Sequence, residues 1–219
     1  MKKILTIAGL AILASQSFGA LTQLTSRAQI TETDYIEWSD KGPAFTALSN
    51  PFVISTHGTP FDVAVKGPAG LEVRQQSFGG WAGDFNPGEY VLYSKGSGPL
   101  TLTGAKTCND VGMNIQADFY GAYTAVMEAY DGLDTFLGSV SVKGVSTANA
   151  DGTAPFIGVR SDAGDIHMVK LYIVRTDGAP TSLAIDRVSF SCCAPVPEPA
   201  SMSVIGMGAL ALLRRKKSK

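Results

Sequence analysis

Apolar and polar residues alternate with a period of two through most of the chain between residues 34 and 190. The alternation is clearest in the stretch AYTAVMEAYDGLDTFLGSVSVKG, and successive residues of a strand point to opposite faces. One face is therefore apolar and carries Tyr123, Ala125, Met127 and Ala129. The other face is mixed and carries Thr124, Val126, Glu128 and Tyr130. A polar turn at 131–134 separates this run from a second one at 136–142, so we predict a central β-hairpin.

Twelve segments carry the residue types and the alternation of β-strands. They are Asp34–Trp38, Phe52–Thr56, Phe61–Val65, Leu71–Gln75, Tyr90–Ser94, Leu100–Thr103, Met113–Phe119, Ala122–Tyr130, Phe136–Val142, Phe156–Arg160, His167–Arg175 and Leu183–Phe190. Turn-forming glycine, proline and aspartate residues separate most of them. Sustained helical periodicity is confined to the two ends of the chain. The pattern predicts an all-β fold, an antiparallel sandwich or barrel.

The N-terminus has the parts of a secretory signal peptide. Lys2 and Lys3 give a positive start, Ile4–Ala14 is apolar, and small or polar residues follow. A cut after Gly19 leaves a small residue, Ser17, at the −3 position. The apolar run is too short to span ~30 Å of hydrocarbon comfortably. We therefore predict a helical signal peptide over residues 1–19 rather than a retained membrane anchor.

The C-terminus has three parts in a fixed order. The proline-rich stretch with Pro197, Glu198 and Pro199 cannot form a helix or an inner strand. Residues 202–213 form an apolar run that is short for a membrane-spanning helix. The basic residues that follow directly are Arg214, Arg215, Lys216 and Lys217. Positive charge beside an apolar segment stays on the cytoplasmic side, so we predict a short helical membrane segment with the protein body outside the inner membrane.

This tail, residues 194–219, resembles the PEP-CTERM sorting signal of Gram-negative bacteria that make exopolysaccharide. In that family an exosortase-type protease recognises the tail at the membrane and processes it. The resemblance implies export, transient anchoring in the inner membrane, and a final site at the cell surface or in the extracellular matrix. An ordinary C-terminal anchor is the alternative interpretation of the same residues.

Charge separates the body of the chain from its ends. Seven of the 18 basic residues lie in the two terminal segments but only one of the 19 acidic residues does, which leaves the body near −7. Binding to nucleic acid needs a basic surface, so we predict that nucleic acid is not a partner.

The three cysteines are Cys108, Cys192 and Cys193. Export places them in an oxidising compartment, and we predict one disulfide from Cys108 to a member of the adjacent pair. Adjacent strand residues point to opposite faces. Cys192 shares a face with Phe190, so we expect it to face inward and pair, with Cys193 as the alternative partner.

A second resemblance covers nearly the whole body. The segments DYIEWSDKGP, SFGGWAGDFNPGE, APFIGVRSD and LAIDRVSF are similar, in this order, to a lectin-like jelly-roll domain found among PEP-CTERM proteins. The resemblance implies an antiparallel jelly-roll β-sandwich over residues 30–193. Related jelly rolls include carbohydrate-binding modules and structural domains, so the resemblance predicts a fold and leaves the activity open.

A cation site is one hypothesis that follows from this resemblance. In related jelly rolls an aspartate of the final strand helps to hold a structural calcium ion, and the matching residue is Asp186, with Glu37 and Asp34 as companions. The alternative is that Asp186 accepts backbone hydrogen bonds at a β-bulge. Arg187 stands where the family often has a second acidic residue, which weakens the calcium hypothesis. No other cofactor is predicted.

Aromatic residues suggest a sugar-binding site. Trp81, Phe85 and Tyr90 form the densest group of aromatic residues, and polar residues flank them. Exposed aromatic rings stack on the apolar faces of sugars. Tryptophan is more often highly buried, so packing against the sheet is the alternative.

The sequence contains no G-x-S-x-G nucleophile elbow, no H-E-x-x-H zinc-protease motif and no C-x-x-C motif. The two histidines, His57 and His167, lie in contexts typical of structural or surface residues. We therefore predict a non-enzymatic exported protein with a structural or adhesive role associated with exopolysaccharide. The alternatives are a carbohydrate-binding module for a matrix glycan and, less favoured, a polysaccharide-modifying enzyme with paired carboxylates.

Overall fold

Most of the segments with period-two alternation form β-strands. The computed structural model describes residues 21–192, which form eighteen strands and two short 3₁₀ helices at Arg27–Gln29 and Trp38–Lys41. The strands are β1 Leu21–Leu24, β2 Asp34–Ile36, β3 Ala47–Leu48, β4 Phe52–Ser55, β5 His57–Gly58, β6 Asp62–Lys66, β7 Leu71–Gln76, β8 Gly80–Trp81, β9 Tyr90–Ser94, β10 Leu100–Cys108, β11 Asp110–Ala117, β12 Gly121–Tyr130, β13 Phe136–Ser146, β14 Phe156–Ser161, β15 Ile166–Arg175, β16 Pro180–Thr181, β17 Leu183–Ile185 and β18 Val188–Ser191.

Two sheets hold these strands. The larger sheet runs in the order β3-β7-β9-β17-β11-β18-β2-β5, with β14 also on β11, β1 on β14, and β8 on β7. The smaller sheet runs in the order β13-β12-β15-β10-β6-β4, with β16 on β15. The β7–β8 pairing is parallel, and the other strand pairings are antiparallel. The predicted all-β, antiparallel architecture is confirmed.

The apolar faces of the two sheets pack against each other and form the main core. On β12 the side chains of Tyr123, Ala125, Met127 and Ala129 are buried, as the alternation predicted. The larger sheet contributes the facing apolar side chains of β11 and β14, among them Met113 and Ile157. The predicted hairpin is formed by β12 and β13, which pair along their length.

Both ends of the described chain lie at the same end of the larger sheet. Leu21 pairs with Ser161 of β14, and the Ser161 backbone N–H donates to the Asn109 carbonyl. The Asn109 N–H in turn donates to the carbonyl of Ser191. Three strand spacings, about 15 Å, therefore separate the start of β1 from the end of β18.

The predicted and the observed strands differ in their limits and at one break inside the larger sheet. Each of the twelve predicted segments overlaps a strand, but the last one is split into β17 and β18 around Asp186 and Arg187. The strand β1 lies before residue 30, so the sandwich includes residues ahead of the predicted domain start. The predicted signal peptide and the predicted helical membrane segment of the tail lie outside the described residues.

Candidate functional site

The predicted aromatic group is largely buried. Trp81 is 6% exposed and Phe85 is 1% exposed, and both belong to a small second core that also contains Ala184. Because Ala184 lies between two residues of the main core, this second core is on the opposite, outer face of the larger sheet. Tyr90 instead packs against the main core. The predicted sugar-binding platform therefore does not form from Trp81, Phe85 and Tyr90.

A buried hydrogen-bond network explains why this loop packs inward. The side-chain oxygen of Gln116 accepts from Trp81 Nε1 at 3.2 Å and from the Asp84 backbone N–H at 2.9 Å. Its amide nitrogen donates to Asp84 Oδ2 at 2.9 Å and to Ser146 Oγ at 2.8 Å. Asp84 also accepts from the backbone N–H and the hydroxyl of Thr147. The network ties two loops to β11, which indicates a structural role for the glycine-rich segment.

Replacing Asp84 with asparagine should lower the free energy of unfolding by about 2 kcal/mol. The amide of asparagine would place its own N–H donors against N–H groups that now donate hydrogen bonds to the carboxylate. Denaturation of the processed protein, followed by tryptophan fluorescence, measures the loss. Asp177→Asn is the control because Asp177 is exposed in a turn. A stability of Asp84→Asn equal to that of the control would contradict the role assigned to the network.

The side chain of Arg27 neutralises Asp186. Its Nη2 lies 3.0 and 2.8 Å from the two carboxylate oxygens, and it also donates to Asn114 Oδ1 at 3.1 Å. Its Nη1 donates to the Arg187 carbonyl at 2.8 Å and to Ser189 Oγ at 2.6 Å. The backbone N–H of Asn114 donates to Asp186 Oδ1 at 2.7 Å. Asp186 is thus held by a cationic side chain and a backbone donor, which accords with the structural alternative for this residue.

The three carboxylates of the calcium hypothesis do not share a site. Glu37 lies 3.4 Å from the Nε of Arg187, and Asp34 lies 3.6 Å from the Nζ of Lys106. Within residues 21–192 the structure contains no group of three or more histidine, cysteine or acidic side chains placed to hold a metal ion. The structure therefore does not bring Asp186, Glu37 and Asp34 together as a group of metal ligands, and Asp186 is paired with the guanidinium of Arg27 instead.

A disulfide joins Cys108 at the end of β10 to Cys192 just after β18. This is the pairing expected from the inward face of Cys192, which is 7% exposed. The alternative partner, Cys193, lies outside the described residues. The bond closes a loop with a sequence separation of 84 residues and links the two sheets.

The outer face of the smaller sheet carries a group that we call the outer-face strip: Glu128, Tyr130, Phe136, Lys170 and Tyr172. Glu128 stands opposite Lys170 across β12 and β15, and Tyr130 stands opposite Phe136 across β12 and β13. The rings of Tyr130 and Phe136 meet edge to face, with centroids 5.5 Å apart. Phe136 is 53% exposed, and the two tyrosines are half-buried. The strip is a continuous aromatic and polar surface.

Hydrogen bonds fix the polar atoms of the strip. The hydroxyls of Tyr130 and Tyr172 donate to the two Glu128 oxygens at 2.7 and 3.2 Å. The bond to Glu128 raises the pKa of Tyr130 to about 12, while burial and Glu128 raise the pKa of Tyr172. Both hydroxyls therefore remain protonated donors at neutral pH. The ammonium of Lys170 lies 4.3 Å from the centroid of the Tyr130 ring, a cation–π contact.

The sequence predicts only part of the outer-face strip. Alternation placed Glu128 and Tyr130 on the mixed face of β12, but their neighbours across the sheet depend on strand pairing. Tyr172 and Lys170 come from β15, which is some 40 residues further along the chain and joins β12 only in the folded sheet. The sequence pattern of a single strand therefore does not predict such a group.

The C-terminal tail matches a known protein-sorting motif. Residues 195–217 match the family model of the PEP-CTERM protein-sorting motif. The chain carries a PEP-CTERM sorting signal. The signal implies export and membrane-associated sorting by an exosortase, and it contains the predicted sorting residues from Pro197 to Lys217, which lie outside the described residues. The interpretation of the tail as a PEP-CTERM signal is confirmed.

Comparisons of the whole chain give weaker likenesses. Among solved structures, the chain is similar to a DUF4465 family protein from Bacteroides caccae ATCC 43185, with 13% identity and a TM-score of 0.39 over 76% of this chain and 98% of that one. It is also similar to the enzymatically active domain of tailspike protein 4 of bacteriophage CBA120, with 11% identity and a TM-score of 0.27 over 81% of this chain and 20% of that one. No curated protein matches the chain. At these identities and TM-scores neither structure bears on the activity of this chain.

The described part of the chain contains two short helices. None of its helices is both long enough and apolar enough to cross a bilayer.

Proposed function

We propose that this chain is a non-enzymatic protein of the cell surface or extracellular matrix that attaches to exopolysaccharide through the outer-face strip. In this proposal the body is a jelly-roll sandwich, and the exosortase route delivers it to the outside of a Gram-negative cell. The PEP-CTERM signal supports the delivery. The observation that carries the attachment is the partly exposed aromatic and polar strip on the smaller sheet.

The chemistry of the strip matches that of a sugar chain. A sugar ring offers apolar C–H faces and a rim of hydroxyl groups, and Tyr130 and Phe136 offer aromatic surface beside polar atoms. The carboxylate of Glu128 accepts hydrogen bonds, and the ammonium of Lys170 donates them. Because the tyrosine hydroxyls already hold Glu128, little side-chain entropy is lost on binding.

A structural rather than catalytic use of the buried carboxylates supports the non-enzymatic part of the proposal. Asp186 is paired with Arg27, Asp110 with Arg160, and Glu72 with two cationic side chains. Removing one partner of such a pair leaves an unpaired buried charge, so these carboxylates depend on their cationic partners in the folded protein.

A carbohydrate-binding module that recognises one defined glycan is the second candidate. The fixed Glu128 favours it, because a carboxylate held by two hydroxyls has a set orientation toward a ligand. A general matrix component and a selective module differ in their response to competitors. Soluble sugars of one type would displace only the selective module.

Alanine at Tyr172 or at Phe136 should weaken retention by the host exopolysaccharide about tenfold, the effect of removing one anchor residue. Affinity electrophoresis of the processed protein in gels that contain the polysaccharide measures this. Phe78→Ala is the matched control, because Phe78 is 75% exposed and lies outside the strip. Equal retention of all three variants would disprove attachment through the strip, and turnover of the polysaccharide would disprove the non-enzymatic role.

A further inference from the structure

The edge strand of the smaller sheet is long and weakly protected. β13 runs over eleven residues, Phe136–Ser146, and its one ladder partner in the described part of the chain is β12. Exposed edges of this length are usually blocked by several charges or by proline. Between Gly138 and Gly144 the strand has one charged residue, Lys143, and no proline.

Backbone groups that pair with no described strand line this edge. Gln23 Nε2 donates to the Ser141 carbonyl at 2.9 Å, and Gln23 lies on β1, which belongs to the other sheet. The carbonyl of Ser141 therefore faces away from β12. Strand residues two apart direct their backbone groups to the same side, so Ser139 and Lys143 present their N–H and C=O groups at this edge as well.

The sequence along the edge reads almost the same in both directions. Residues 138–144 are GSVSVKG, and the exchange of Ser139 for Lys143 is the one departure from a palindrome. In an antiparallel pair with a two-fold axis at Ser141, that residue faces its own copy. Val140 then faces Val142, glycine faces glycine, and each Lys143 faces a serine.

We propose that β13 pairs in antiparallel fashion with β13 of a second copy of this chain, with the two-fold axis at Ser141. The residues with outward backbone groups would form about six interchain hydrogen bonds. The valines would meet on the inner face of a continuous sheet. No two lysines would stand directly opposite each other, so the pairing avoids the unfavourable contact of like charges across the strands.

The hydrogen bond from Gln23 to Ser141 must yield to this pairing. The Gln23 side chain occupies the Ser141 carbonyl through an exposed hydrogen bond. The interchain N–H of the second Ser141 replaces that donor, so the carbonyl stays satisfied. Gln23 thus competes with dimer formation, and Gln23→Ala should increase the fraction of dimer.

The pairing is independent of the proposed glycan attachment, but it bears on it. A two-fold axis perpendicular to the sheet keeps both outer faces on one side. The two outer-face strips would then lie on the same surface of the dimer, and two attachments on one assembly increase retention by avidity.

Cysteine placement tests the pairing in the full-length chain exported by its host, in a Cys193→Ser background. In the proposed dimer the two Ser141 Cα atoms lie about 5.5 Å apart, within reach of a disulfide. Ser141→Cys should therefore give a covalent dimer on non-reducing gels. Ser139→Cys is the matched control, because its two copies lie about 13 Å apart. It should stay monomeric alone and crosslink when co-expressed with Lys143→Cys.

In the cysteine test, two results would overturn the proposal: a Ser141→Cys chain that stays monomeric, or equal crosslinking of Ser139→Cys alone. Charge substitutions give a second test that needs no cysteine. Ser141→Lys and Ser141→Glu should each abolish co-purification of two differently tagged chains, since like charges would meet at the axis. Co-expression of the two variants should restore it, which shows that both are folded. Persistent co-purification of either variant with itself also overturns the proposal.

Discussion

Alanine at Arg27 should lower the free energy of unfolding by about 3–5 kcal/mol, the usual cost of breaking a buried ion pair from one side. The substitution leaves the carboxylate of Asp186, which is 6% exposed, without its cationic partner. It also removes the donors to Ser189 and to the Arg187 carbonyl. The Arg27 guanidinium lies over the Phe156 ring, 5.6 Å from its centroid, so packing is lost too.

The loss should depend on pH. Burial raises the pKa of Asp186 from 3.8 to about 7, against the opposing effect of Arg27. A carboxyl whose pKa is raised by folding contributes most stability below its unfolded pKa, and the contribution falls as pH rises through the folded pKa. Without Arg27, the ionised form of Asp186 is even less favourable in the folded protein. Urea denaturation should therefore show a larger loss at pH 8 than at pH 5.

Arg175→Ala is the control for Arg27→Ala. Arg175 pairs with Asp177 at 3.0 Å, but both side chains are exposed by more than 40%. Surface pairs of this kind contribute under about 1 kcal/mol. If Arg27→Ala cost no more than Arg175→Ala, or lost the same amount at both pH values, Arg27 would not be the partner that neutralises Asp186.

Removing the Cys108–Cys192 disulfide should cost about 4 kcal/mol. The bond closes a loop with a sequence separation of 84 residues, and a loop of that size gains considerable conformational freedom in the unfolded chain when it opens. Cys108→Ala combined with Cys192→Ala gives the change without leaving a free thiol from the pair. Thermal denaturation should show a fall of about 8–16 °C in Tm.

Two controls separate the disulfide from other cysteine effects. Cys193→Ser keeps the pair and should leave Tm unchanged. A reducing agent should lower the Tm of the natural chain and have no effect on the double variant. A double variant as stable as the natural chain would contradict the stabilising role of the bond.

The strands could be predicted because one face of each is buried, and burial imposes a period of two on the sequence. The break between β17 and β18 was missed because LAIDRVSF keeps its alternation through Asp186. The cause of the break lies elsewhere in the chain: Arg27 and Asn114 bind that carboxylate. The segment with Arg27 shows no long pattern of its own, so its place in the sandwich was also missed.

The candidate site was harder to predict than the fold. Trp81 suggested an exposed platform, yet the residue that buries its loop, Gln116, is 35 positions away. The strip on the smaller sheet depends on the pairing of β12 with β15. Alternation determines which face a side chain takes, but pairing between distant strands determines its neighbours.

The position of β18 has a mechanical consequence. The strand lies between β11 and β2 inside the larger sheet, and Cys192 at its end is bonded to β10 of the other sheet. The sorting motif begins at residue 195, three residues later. Traction on the tail during membrane processing therefore cannot peel β18 from an open margin. A pull on the tail loads the Cys108–Cys192 bond first and must then shear two ladders at once.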